Sequence, residues 1–194
     1  MMHEGVKKQD VAVRVMDSKE ANTILAENHY LHRKRVGRLL AYEVLHLGRR
    51  LGIVLYARAP VSGPMFGYTP TEIVELARFW LSENLHNLGS CAIRKTFREI
   101  TKDWPGTRAI ISWCDRTRFD GALYKAVGFE FMGESRVRSA EPSGKVFGGG
   151  RAGREVQADR LNQKDRYLYK LTGPASAAAW VSVKSQTREM RERI

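Results

Sequence analysis

The stretch that decides the fold begins Ile73-Val74-Glu75-Leu76-Ala77-Arg78-Phe79-Trp80-Leu81 and passes through Asn87-Leu88-Gly89-Ser90. It then continues from Cys91 to Lys102 and closes with Arg108-Ala109-Ile110-Ile111-Ser112-Trp113-Cys114. The first and last segments are apolar runs and read as buried strands. Between them Ala92, Ile93, Thr96, Phe97 and Ile100 recur at helical spacing, and Trp104-Pro105-Gly106 stops that helix. Strand, glycine turn, helix and strand make a crossover unit, which predicts parallel pairing. A second helix, roughly Thr117 to Val127, ends at Gly128 and feeds a strand at Phe129-Glu130-Phe131-Met132.

Upstream, Val11-Ala12-Val13-Arg14-Val15 alternates as a strand does, and Asp17-Ser18 supplies N-caps for a helix from Lys19 to about His29. Two apolar runs, Leu39 to Leu47 and Leu51 to Ala57, flank Gly48-Arg49-Arg50 and predict a β-hairpin. Downstream, Pro142 to Asp165 contains Gly148-Gly149-Gly150, many charges and few apolar residues, and reads as a mobile excursion. Tyr167 to Leu171 returns as a last strand. The predicted order is β-α-ββ-β-α-β-α-β-β, a mixed α/β sheet flanked by helices. One domain is expected over residues 1–173, with the excursion at about 140–165 and a helix or arm over 174–194.

A chain of 194 residues is the length of one ordinary domain, and 43% hydrophobic residues exclude wholesale disorder. Lysine plus arginine number 33 against 21 acids, a formal charge of +12 that favours an anionic partner. Only Cys91 and Cys114 are present, which excludes a disulfide scaffold and a structural zinc cage. No apolar run is long enough to span a bilayer, and Met1-Met2-His3-Glu4-Gly5 lacks a signal peptide's apolar core, so the expected location is cytoplasmic.

Two places can carry chemistry. The Gly89 turn opens a helix, so its amides can cradle an anion, although the same turn also reads as an ordinary strand-to-helix connection. It lacks the spacing of a P-loop or a dinucleotide fingerprint. Asp115 lies at the carboxyl end of a strand, where ligands bind in open α/β sheets, and Tyr124 lies one helix away. The plainer readings are a helix cap for Asp115 and half-buried packing for Tyr124.

Gly121-Ala122-Leu123-Tyr124-Lys125-Ala126-Val127-Gly128-Phe129-Glu130, following a strand and followed by Phe131-Met132-Gly133, resembles the closing motif of GNAT acyltransferases. The strand, turn and helix around Asn87-Leu88-Gly89-Ser90 resemble that family too, without its arginine-rich loop spelling. The likeness covers roughly Val11 to Leu171. It implies two central strands that splay apart, an acyl-CoA donor (acetyl-CoA or a relative) held by Asn87, Leu88, Gly89, Ser90 and Cys91, and a tyrosine at Tyr124 that protonates the departing thiolate.

Asn28-His29-Tyr30-Leu31-His32, Glu75-Leu76-Ala77-Arg78 and Ser112-Trp113-Cys114-Asp115, with Tyr124, resemble more narrowly the Mom family of Mu-like phages. That resemblance implies modification of DNA adenine at N6 with a carbamoylmethyl group, which shields phage DNA from restriction in the host cytoplasm. It picks out Arg78, Asp115 and Tyr124 as a centre, with His29, Tyr30 and His32 beside it. Asp115 would accept a hydrogen bond and then a proton from the weakly nucleophilic amino group. Arg78 would neutralise a phosphate or an oxyanion. Strict alternation puts Glu75 and Arg78 on opposite faces, so both line one site only across a bulge; Arg78 is preferred and Glu75 held in reserve. His29 and His32 with Asp115 form a weak candidate metal set, the commoner alternative being hydrogen bonds to backbone or substrate. An acetyl group carries no amide nitrogen, so simple acetyl transfer does not yield a carbamoylmethyl product.

The charge is concentrated in two segments. Arg33, Lys34, Arg35, Arg38, Arg49, Arg50 and Arg58 face only Glu43 across the loop and hairpin, and Arg136, Arg138, Lys145, Arg151 and Arg154 lie in and before the excursion. These predict a double-stranded DNA partner held by its phosphates, with a flipped adenine and Tyr30, Tyr68 or Phe119 as stacking surfaces. Two other readings stay open: an ordinary GNAT N-acetyltransferase acting on protein, RNA or a small amine, and a non-catalytic nucleic-acid-binding module.

Overall fold

The computed structural model describes residues 5–59, 63–135 and 164–171. After a single 3₁₀ turn come β1 (Val11–Met16), α1 (Ser18–Asn28), β2 (Leu39–His46), β3 (Arg49–Arg58) and β4 (Ile73–Leu81). They are followed by α2 (Leu88–Asp103), β5 (Ala109–Asp115), α3 (Ala122–Val127), β6 (Glu130–Glu134) and β7 (Lys164–Lys170). The order is the one the periodicities predict, and several boundaries have local causes. Asp17 caps α1 by accepting from the Lys19 and Glu20 amides at 2.9 Å. Leu47 and Gly48 both take positive φ, 50° and 79°, and make the hairpin a tight two-residue turn, so β3 starts at Arg49 rather than Leu51. The second predicted helix is shorter than expected, because Gly121 at φ 76° breaks the chain and only Ala122–Val127 is helical.

Among the described residues the strands form one sheet in the order β1-β2-β3-β4-β5-β7-β6. The predicted parallel pair is present between β4 and β5, over Ile73 with Ala109, Val74 with Ile110 and Glu75 with Ile111. Beyond those three rungs both strands continue, to Leu81 and Asp115, without pairing each other. The sheet is therefore slit at its centre towards the carboxyl ends of β4 and β5. The expected run of parallel strands stops there, since β7 inserts between β5 and β6 and is antiparallel to both.

Each face is covered. On one, α2 and α3 bury Leu88, Ala92, Ile93, Phe97, Ile100 and Val127 against Tyr42, Val54, Tyr56, Val74, Leu76 and Ile110. On the other, α1 sets Ala21 and Leu25 on Ala41, Ile53 and Leu55, while Tyr68 with Met65 and Phe66 covers Ile73, Ala109 and Ile111. Side chains of this kind stabilise by roughly 1.5 to 3 kcal/mol each when fully buried, which is what holds the slit sheet together. The last two residues of the expected excursion, Lys164 and Asp165, open β7, while the rest of it, residues 174–194 and the basic Arg136, Arg138, Lys145, Arg151 and Arg154 lie outside the described residues.

Candidate functional site

The slit is a cavity of about 160 Å³ whose walls include His29, Tyr30, Arg78, Phe79, Ser112, Asp115, Phe119, Leu123 and Tyr124. A wider hollow of about 810 Å³ opens beside Val6, Lys7, His46 and His86 at the edge of the molecule, away from that set. Chemistry converges on the smaller one.

The register explains what each strand contributes. Leu55 of β3 pairs with Arg78 while Tyr56 pairs with Leu76, so Ala77 is an extra residue and β4 bulges there. The bulge shifts the alternation by one, and Glu75 and Arg78 fall on the same face, the α1 face, rather than on opposite faces as strict alternation predicts. On β5, Ser112 lies on the α2 face with Ile110 and Cys114, and Asp115 on the α1 face with Ile111 and Trp113. The cleft thus passes through the sheet, with Ser112 and Tyr124 towards one face and Arg78, Asp115 and His29 towards the other.

On the α1 face Asp115 is 1% exposed. Its Oδ1 accepts from the Thr117 amide at 3.0 Å and the Thr117 hydroxyl at 2.6 Å, and Arg118 Nε lies 3.8 Å from Oδ2. The plain capping reading is therefore met, though on a turn and not on the helix, while the carboxylate also walls the cleft. The Arg78 guanidinium donates to the Ala77 carbonyl at 2.6 Å, and its buried Nε meets no hydrogen-bond partner among the described residues. Burial pulls its pKa down, against the opposing pull of Glu75. Glu75 is ion-paired with Arg35, and its carboxyl is raised by burial in spite of that arginine.

His29 ends α1 as its C-cap. Its Nδ1 accepts from the Leu31 amide at 3.2 Å, which leaves the proton of the neutral ring on Nε2. Burial first, then Arg78 and His32, lower its pKa to about 4. The Leu31 amide therefore occupies the Nδ1 lone pair of the neutral ring. His32 follows in a turn at φ 42° and is exposed, so the two histidines do not share a helix face. No group of three or more metal-ligating side chains gathers among the described residues, and the His29, His32 and Asp115 set is corrected accordingly. Tyr30 packs edge-on to Phe119 at 5.4 Å with Arg118 over its ring at 5.1 Å, and Phe119 is 52% exposed at the cleft mouth. Tyr68 is buried in the cluster under the opposite strand ends and is not a stacking surface.

On the α2 face the Tyr124 ring stacks on Tyr167 at 4.7 Å, and burial raises its phenol pKa. Gly89 lies inside the first turn of α2, where a Cβ would meet Leu123 at 3.2 Å and Phe79 at 3.3 Å. Two cleft-wall side chains thus press on that backbone. The Leu88 amide is taken by Leu85 and the Cys91 amide by Asn87, and the Leu88 side chain is buried in the core. Of the expected set Asn87, Leu88, Gly89, Ser90 and Cys91, the Gly89 and Ser90 amides remain as first-turn donors.

The predicted basic residues separate. Arg35 turns inward to Glu75, with its backbone held in both directions by Asn22 at 2.9 Å, and straps the loop to β4. Arg49 pairs with Glu83 and Arg50 with Glu20. Arg38 and Arg58 lie over Trp104, the C-cap of α2, one helix length (about 24 Å) from its first turn. Arg33 is close enough to Arg78 to lower its pKa, and Lys34 is exposed. Ser112 had no role in the sequence reading; a lone hydroxyl in an otherwise apolar strand was its signal.

A model of the Mom protein family matches residues 10–185. The chain belongs to the Mom protein family. No curated protein matches it. Solved structures similar to this Mom family chain are acetyltransferases of the GNAT fold. Aminoglycoside acetyltransferase AAC(6')-Ib, in complex with paromomycin and acetyl-CoA, has a TM-score of 0.54 at 14% identity, covering 83% of this chain and 93% of its own. The ribosomal L7/L12 alpha-N-protein acetyltransferase RimL in complex with coenzyme A has a TM-score of 0.54 at 10% identity, covering 83% and 94%. The acetyltransferase from Salmonella typhimurium that modifies the N-terminal serine of L7/L12 has a TM-score of 0.53 at 10% identity, covering 83% and 95%. At such identities the likeness is one of fold.

Proposed function

We propose that this Mom family chain is a transferase that joins an acyl-derived group to N6 of adenine in double-stranded DNA. The observation that carries the reading is the slit through the sheet, one small space lined from both faces by groups able to act on two reactants. Family membership supplies the DNA adenine, and the acetyltransferases of the same fold supply the donor class.

The α2 face fits an acyl-CoA. Gly89 leaves the first turn of α2 without a Cβ exactly where Phe79 and Leu123 wall the cleft, and the Gly89 and Ser90 amides are donors for a phosphate. When bound, such a thioester supplies an activated acyl carbon. Tyr124 is the acid on this side. On the α1 face Asp115 accepts the N6 proton, and the buried Arg78 guanidinium offsets negative charge that develops in the cleft. His29, held neutral with its proton on Nε2, serves as a fixed hydrogen-bond donor and not as a base. Tyr30 and Phe119 offer aromatic faces at the mouth to a base turned out of the duplex. Arg33 and Lys34 on the adjoining loop suit its phosphates.

Asp115→Asn and Arg78→Ala are each expected to lower transfer to duplex DNA at least a hundredfold while leaving folding and DNA binding intact. Full activity in both variants contradicts the site.

A further inference from the structure

The slit that opens the sheet also strands a backbone group. Because β4 and β5 part after Glu75 and Ile111, the Leu76 carbonyl has no strand partner on β5. A buried carbonyl without a donor is costly, and Ser112 on β5 fills the gap, its Oγ donating to the Leu76 carbonyl at 3.0 Å. The same Oγ lies 3.0 Å from Tyr124 Oη, and Ser112 is itself 1% exposed. A serine hydroxyl has a single proton and two lone pairs, so it cannot donate to both neighbours at once.

Two arrangements follow. With the Ser112 proton on the Leu76 carbonyl, Tyr124 donates its own proton to Ser112 Oγ and points nothing into the cleft. With the Ser112 hydroxyl turned to Tyr124 Oη, the phenol proton is freed towards the cleft, at the expense of the Leu76 hydrogen bond. Stacking on Tyr167 fixes the ring, so the choice between the two is made by the serine rotor and not by movement of the tyrosine.

We propose that Ser112 is the positioning residue for Tyr124, a hydroxyl toggle that aims the phenol proton into the cleft and then holds the phenolate. The inference rests on the transferase reading above. In the step, the bond from adenine N6 to the acyl carbon would form as the thioester C–S bond breaks, and the Tyr124 O–H proton goes to the departing sulfur. The electron pair stays on Oη as phenolate, stabilised by the Ser112 proton, and water returns a proton afterwards. The burial that raises the Tyr124 pKa makes this support necessary, since an unsupported phenolate there is poorly solvated.

The test places a ring-fluorinated tyrosine of lower intrinsic phenol pKa at position 124 of the full chain and follows its ionisation by fluorine NMR. Ser112→Ala is expected to raise the ionisation midpoint by about one pH unit, and Ser112→Thr, which keeps the hydroxyl, to restore it. In DNA modification assays with unlabelled protein, Ser112→Ala is expected to slow transfer about tenfold and Ser112→Thr to recover most of it. A midpoint unmoved by Ser112→Ala, or moved equally by Ser112→Thr, overturns the proposal. If the midpoint moves as expected while the wild-type protein transfers nothing to DNA, the toggle stands and the proposed function falls.

Discussion

His29 is a buried imidazole between a backbone amide and the Arg78 guanidinium, and its environment dictates how the protein responds to acid. In the unfolded chain a histidine titrates near 6.5, whereas the folded ring resists protonation down to about 4. Between those values the unfolded state binds more protons, so stability rises with pH there and is lost as pH falls from 6.5 towards 4. His29→Gln is expected to flatten that dependence in denaturant titrations at a series of pH values; an unchanged slope contradicts the burial argument. Glu75 makes a second case. Arg35→Ala strands a buried carboxylate and is expected to cost on the order of 2 kcal/mol of unfolding free energy, less than for a fully buried pair because the arginine is partly exposed. Asp115 and Tyr124 were legible as candidates from their places in the sequence. The partnership of Arg35 with Glu75 was not, because it joins a loop to a strand forty positions away.

At the level of elements, hydrophobic period and caps carried most of the information. Alternation marked β1, the helical spacing of Ala92, Ile93, Phe97 and Ile100 marked α2, and Asp17 marked where α1 begins. Two features were hidden for one reason, that they depend on neighbours. The bulge at Ala77 carries no glycine or proline, so Glu75 and Arg78 looked opposed until the pairing with β3 was known. The insertion of β7 between β5 and β6 depends on a strand returning from beyond the excursion. The trimming of α3 did have a local signal, Asp120-Gly121, with the Asp120 carboxylate capping the Ala122 amide at 2.9 Å. Gly121→Ala combines a left-handed φ with overlap of the Tyr167 hydroxyl, and is expected to destabilise the protein by roughly 2 kcal/mol and disturb Tyr124 with it. Leu47 runs the other way. It is 73% exposed and holds φ 50° in the hairpin turn, so Leu47→Asn is expected to raise stability by about 0.5 to 1 kcal/mol in thermal unfolding.

For the whole molecule, the basic side chains among the described residues do not gather into one patch. Among the described residues, Arg35, Arg49 and Arg50 pair with acids and Arg38 with Arg58 sits at the Trp104 end of α2, while Arg118 lies over Tyr30 at the cleft mouth and exposed Lys34 lies on the loop after α1. DNA binding measured across a salt series is expected to lose about one unit of log–log slope in Lys34→Gln and almost none in Arg49→Gln. Equal losses would contradict this partition. The slit sheet with its two chemical faces makes the central claim, transfer of an acyl-derived group to a DNA base. Mass spectrometry of nucleosides from DNA of cells expressing the protein tests it most directly. An adenine adduct in wild-type samples that disappears with Asp115→Asn is the expected result; unmodified DNA alongside an acetylated protein or small amine would contradict it.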